Sequence, residues 1–144
     1  MGIQYSQADW NGSLKEGQGT FTLPKAGFTG NVTHASRFAE GDGTNPEELV
    51  GAALSSCFSM FLTALINKHG FESDTVQTKA VVELVVGDNG PSITSIELTT
   101  EATSTVDADT FDKLVSEAKQ NCPISKLCTG TSISVDAKLT SSVR

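Results

Sequence analysis

Asn45-Pro46-Glu47-Glu48-Leu49-Val50-Gly51-Ala52-Ala53-Leu54-Ser55-Ser56-Cys57-Phe58-Ser59-Met60 opens a helix, and its start is the best-marked boundary in the chain. Asn45 is a good N-cap, Pro46 suits the first helical position, and Glu47 and Glu48 favour the positive end of the helix dipole. Glu48 stands three residues after Asn45, the spacing of a capping box. The pattern predicts a helix to about Lys68, stopped by His69-Gly70. From Leu49 to Ile66 no side chain is charged, a run close to the ~18 residues of a membrane span. Gly51, Ser55, Ser56, Ser59 and Thr63 interrupt that run, and alanine fills several positions where a spanning helix favours leucine. A helix buried on nearly all sides by its own protein is the better expectation.

Upstream of this helix, Ile3, Tyr5 and Trp10 sit among polar residues before an Asn11-Gly12 turn. Thr20–Leu23 reads as a second short strand stopped by Pro24. Phe28–Phe38 is expected to hold a third, with His34 and Arg37 near its end. Downstream, Thr75–Val86 is rich in valine and threonine, and Gly87-Asp88-Asn89-Gly90 signals a turn. Ser92–Ser104 sets Ile93, Ser95 and Glu97 against Thr94, Ile96 and Leu98, completing a hairpin with one buried face. A helix is expected from Asp107 or Asp109 to near Asn121, with Phe111, Leu114, Val115 and Ala118 at helical spacing. Cys122-Pro123 then begins a short helical turn through about Leu127. Ser132–Leu139 closes the chain as a strand with Ile133, Val135, Ala137 and Leu139 on one face. The expected architecture is α+β, a single domain over 1–144 with antiparallel sheets around a long buried central helix.

The chain has 144 residues, enough for a real core, with 38% hydrophobic and 19% charged residues. A net charge of −7 repels phosphate backbones and anionic headgroups, so neither nucleic acid nor a membrane surface is an expected partner. The first twenty residues hold no basic segment followed by an apolar run, the mark of a secretory signal. Three cysteines do not make a secreted disulfide framework, so the expected compartment is the reducing cytoplasm.

Cys57 lies mid-helix, crowded by Val50, Leu54, Phe58, Phe61 and Leu65. Desolvation alone raises a thiol pKa and leaves it inert, so reactivity there requires a nearby cation. Cys122, at the start of a short helix, has free backbone N–H groups to stabilise a thiolate. Cys128 follows six residues later, and counting does not settle which cysteines pair. His34 and His69 lack ligand spacing, and no GxGxxG loop is present. No metal or cofactor is expected.

The run Asn45–Met60 resembles the central-helix motif of the OsmC/Ohr family, and Cys122-Pro123-Ile124-Ser125 resembles its second-cysteine motif, in the expected order. Ser36-Arg37-Phe38 is similar to the OsmC branch, and the order of elements matches over essentially the whole chain. The resemblance implies a thiol-dependent, two-cysteine peroxidase that reduces organic hydroperoxides, and more weakly hydrogen peroxide, to alcohols. Cys57 would be the attacking thiolate and Cys122 its partner in a transient disulfide. An external dithiol, lipoyl-type in the Ohr branch, would restore both thiols. Arg37 would supply the missing cation, with Glu47 holding its guanidinium. Phe38, Leu54, Phe58 and Phe61 are expected to line an apolar substrate pocket.

Glu47 and Cys57 are ten residues apart on one helix, hence ~15 Å along its axis, and cannot meet directly. Either Arg37 spans much of that gap or one member comes from a second subunit; the resemblance implies intertwined homodimers with sites at the interface, so a site shared between protomers is the expectation. Two rival readings remain: a non-catalytic binder of small apolar ligands on the same fold, and an interaction protein working through its acidic surface.

Overall fold

The computed structural model describes residues 2–142. Two compact units are described in turn, Met1–Leu49 and Val50–Arg144. The long helix, α2 (Pro46–Lys68), begins in the first and continues through the second.

In the N-terminal unit, β1 (Gln7–Asn11), β2 (Gln18–Leu23) and β3 (Phe28–Thr33) form an antiparallel sheet in that order. The Asn11-Gly12 turn is realised with Gly12 at φ 93°, a value that glycine adopts without strain. The third strand is shorter than expected. It ends at Thr33, and the residues thought to extend it form a helical turn, α1 (His34–Phe38). The cause is a capping box inside the β-branched run: Ser36 N–H donates to Thr33 Oγ1 and Thr33 N–H to Ser36 Oγ, both at 2.9 Å. Arg37 therefore projects from a helical turn.

The start of α2 follows its sequence signals. Asn45 Oδ1 accepts from Glu48 N–H at 2.8 Å, and Asn45 Nδ2 donates to the carbonyl of Ser36 at 3.0 Å. Ser36 Oγ in turn donates to the Thr44 carbonyl at 2.7 Å. One cap thus fixes the first turn of α2 against α1. At the other end, Gly70 adopts φ 83°, and Phe71 N–H reaches back to the Ile66 carbonyl, closing the helix as expected.

In the C-terminal unit, β4 (Ser73–Gly87) and β5 (Gly90–Ser104) form the hairpin, with Asp88-Asn89 as its turn. The ladder slips between Glu83 and Leu84, where β5 carries the extra residue Thr94. This bulge lets both Ile93 and Ile96 pack on the core side. The sheet is not wholly antiparallel as expected. β6 (Ser132–Ser141) runs parallel to β5, pairing Ser95 with Ser132 through Ser104 with Ser141. The intervening helices α3 (Ala108–Asn121) and α4 (Pro123–Leu127) carry the chain back along the sheet, the crossover a parallel pair requires.

The core of this unit joins Leu54, Phe58, Leu62, Leu65 and Ile66 of α2 to Ile96 and Leu98 of β5 and to Phe111, Leu114, Val115 and Ala118 of α3. Gly51 allows α2 to approach β4: a Cβ there would lie 3.3 Å from Val82 Cγ2. The expected all-round burial of α2 is replaced by burial of one face. Ala52, Ala53, Ser56, Met60 and Ala64 form an exposed face, with Met60 75% accessible. Among the described residues, α2 is the one helix long and apolar enough to cross a membrane, yet one side of it is core.

Candidate active site

Two side-chain constellations stand out, one in each unit. In the C-terminal unit, α3 ends where Cys122 N–H donates to the Ala118 carbonyl. Pro123 biases the residue before it toward extended backbone, and Cys122 sits at φ −56°, ψ 130°. The chain then re-enters helix as α4, with Pro123 in its first turn. This break points the Cys122 side chain at α2, where its Sγ lies 2.9 Å from Cys57 Sγ. All three cysteines are free thiols. The adjacency singles out Cys57 and Cys122, whereas Cys128 caps the end of α4 through its N–H to the Ile124 and Ser125 carbonyls.

The two sulfurs differ in access and in charge stabilisation. Cys57 is half-buried, and Cys122 is fully enclosed. Burial pushes the Cys57 thiol above its usual 9.0, as does its contact with Cys122, against a smaller opposing effect of the Ile124 N–H. Burial also acts upward on Cys122. There it is outweighed by the Cys57 hydrogen bond, the Ser125 N–H and hydroxyl and the Ile124 N–H, and the net direction is downward. The more accessible sulfur is thus the weaker acid. A cation placed beside Cys57 would favour its thiolate.

Beside Cys57 the exposed face of α2 forms a shallow, open apolar cleft of about 430 Å³ lined by Ser56, Cys57, Met60, Phe61 and Ala64, all from this one helix. Of the residues expected to line a pocket, Phe61 lines this one. Leu54 and Phe58 are fully buried in the core, because they point to the sheet-facing side of α2. Phe38 belongs to the N-terminal unit, where its ring lies beside Arg37.

That unit holds the second constellation. The Arg37 Nη2 lies 2.7 Å from Glu47 Oε1, and its Nε reaches Oε1 and Oε2 at 3.2 and 3.3 Å. Glu47 is buried. The guanidinium carbon sits 5.2 Å from the centre of the Phe38 ring, which itself packs on His34 with centroids 5.0 Å apart. A carboxylate holds the guanidinium's edge, and its carbon lies over the ring of Phe38. Sequence reasoning paired Arg37 with Glu47 but missed the Phe38 platform and the Ser36–Asn45 frame beneath it. Among the described residues no group of three His, Cys, Asp or Glu side chains is placed to hold a metal.

The family model of OsmC-like proteins matches residues 39–138. The chain belongs to this OsmC-like family. Peroxiredoxin OsmC of Escherichia coli K12 is 40% identical over 124 residues, spanning 84% of this chain and 86% of that protein. The organic hydroperoxide resistance protein-like 2 of Staphylococcus epidermidis is 33% identical over 93 residues, 62% of this chain and 63% of that protein. In fold, an OsmC-like protein of unknown function from Vibrio cholerae superposes with a TM-score of 0.76 at 18% identity, covering 95% of this chain and 99% of that one. The OsmC-like match includes Glu47, both paired cysteines and the cleft, while Arg37 and Phe38 lie just before it.

Proposed function

We propose that this OsmC-like protein is a cytoplasmic thiol peroxidase that reduces organic hydroperoxides, using Cys57 as nucleophile and Cys122 as resolving thiol. The observation that carries this reading is the 2.9 Å approach of an accessible sulfur beside an apolar cleft to a fully enclosed one. The names of the Escherichia coli and Staphylococcus epidermidis relatives, a peroxiredoxin and a hydroperoxide resistance protein, point the same way.

The Cys57 thiolate attacks the distal peroxide oxygen, the O–O bond breaks, and the alcohol leaves with a proton. Cys57 is left as a sulfenic acid. The Cys122 thiol then attacks that sulfur, water departs, and the disulfide forms. An external dithiol of the lipoyl type returns two electrons and frees both thiols. The cation that lowers the Cys57 pKa is Arg37, supplied across the interface of a homodimer. Exposed apolar side chains support such an assembly: Met60 on α2, and Tyr5, Leu14 and Phe28 in the N-terminal unit.

The test is mass spectrometry of the intact protein after one equivalent of tert-butyl hydroperoxide. The expected product has lost two hydrogens and maps to a Cys57–Cys122 linkage. Unmodified thiols after treatment would favour the non-catalytic binder instead.

A further inference from the structure

Arg37 and Glu47 stand on separate elements, the short helix α1 and the first turn of α2, joined by residues 39–45. Gly41 and Gly43 lie in that connection and give its backbone freedom to swing. The Arg37 side chain is 33% exposed, and an ion pair open to solvent does little to hold its own geometry. The alignment of the pair therefore calls for a tether between the two elements.

Asn45 supplies one, and the two ends of its side chain do separate work. Oδ1 accepts from Glu48 N–H at 2.8 Å and caps α2. Nδ2 donates at 3.0 Å to the carbonyl of Ser36, the peptide group that leads directly into Arg37. That carbonyl belongs to the last turn of α1, where helix geometry leaves carbonyls without an intrahelical partner. The ends cannot be exchanged, because one faces an N–H and the other a carbonyl. Capping needs only the oxygen, which aspartate or serine supplies equally well, so the amide donor is surplus to the cap.

We infer that Asn45 is a positioning residue for Arg37: its Nδ2, separately from its capping Oδ1, holds the guanidinium in register with Glu47. The inference rests on the proposed use of Arg37 as the cation that activates Cys57, and adds what keeps that cation in place. Asn45 touches no reacting atom and acts through the Arg37 backbone.

The test separates the two ends of the side chain. Asn45→Asp and Asn45→Ser each keep a capping oxygen and lose the donor, so both should melt no lower than the wild type. The chain has one arginine besides Arg37, Arg144, so peptide mapping after phenylglyoxal treatment resolves the two. In both variants Arg37 should be modified about fivefold faster, relative to Arg144, than in the wild type, the scale of one lost hydrogen bond. The iodoacetamide pH profile of Cys57 should move upward, part of the way toward that of Arg37→Ala. An unchanged Arg37 modification rate would overturn the inference. So would a Cys57 profile that stays with the wild type while that of Arg37→Ala moves. A Tm that falls in both variants in step with the other changes would also overturn it, since the cap alone would then account for Asn45. If Arg37→Ala itself leaves the Cys57 profile in place, the cation of the peroxidase reading is overturned instead, and the Arg37 modification rates alone decide on Asn45.

Discussion

Arg37 and Glu47 meet edge to edge, with both carboxylate oxygens within 3.3 Å of the guanidinium Nε and the shortest contact, 2.7 Å, made by Nη2. Lysine carries the charge but cannot reproduce this fork. Arg37→Lys is expected to lower kcat/KM for tert-butyl hydroperoxide roughly a hundredfold, the scale of losing an aligned charged donor. Glu47→Gln should act in the same direction. Steady-state kinetics coupled to dihydrolipoamide oxidation checks both, and wild-type rates would remove Arg37 from the mechanism.

If the cation comes from another protomer, inactive subunits should complement. Cys57→Ser protein mixed and reassembled with Arg37→Ala protein is expected to recover part of the activity. Recovery no better than either parent would place both groups on one chain or exclude Arg37.

Ionisation of Cys57 supplies a pH prediction. Burial and the contact with Cys122 raise its pKa above 9.0, so without a guanidinium beside it alkylation should accelerate only above that pH. Arg37→Ala should therefore shift the iodoacetamide pH profile of Cys57 upward from that of the wild type. Profiles that coincide would mean that Arg37 does not act on this thiol.

Phe58 and Phe61 are three residues apart on α2 and should fail differently. Phe58 is fully buried, and Phe58→Ala is expected to cost about 3–5 kcal/mol in urea unfolding. Phe61 is half-buried beside the cleft, so Phe61→Ala should cost less stability and instead raise KM for bulky hydroperoxides. Equal destabilisation by the two would contradict the assigned faces.

Asp107 caps α3 by accepting from Thr110 N–H at 2.9 Å, and this bond lowers its pKa from 3.8. A depressed folded pKa gives stability that is complete above 3.8 and is lost as pH falls through the lower folded value. Asp107→Ala should lower Tm at neutral pH, and the gap should close below that folded value. A gap independent of pH would mean that the carboxylate charge contributes nothing.

Most element boundaries were legible because capping and turn chemistry is local. Asn45-Pro46, Gly70 and the Gly87–Gly90 turn each announce themselves within a few residues. The direction of β6 was not legible, since Ile133, Val135, Ala137 and Leu139 alternate identically whether the strand runs parallel or antiparallel. The α1 turn was hidden because Thr33 and Ser36 act as a cap only once the strand stops pairing. The facing of Leu54, Phe58 and Phe61 was unreadable for a related reason: a helix apolar around its whole circumference carries little information about which side meets the sheet. Cys57 and Cys122 came from motif resemblance. The sequence shows Asn45 as a cap but not which carbonyl its Nδ2 reaches.

The contact between Cys57 and Cys122 also bears on survival under heavy oxidant load. A sulfenic acid meets a second peroxide, and irreversible damage, only if it outlives the approach of its resolving thiol. In many thiol enzymes a helix must unwind before that approach. Here Cys57 Sγ in α2 already lies 2.9 Å from Cys122 Sγ at the break between α3 and α4, so under the proposed cycle capture requires no unfolding. Hyperoxidation of Cys57 to the sulfinic acid is therefore expected to be rare in the wild type and prompt in Cys122→Ser, and the protein should work at high peroxide without a dedicated repair partner.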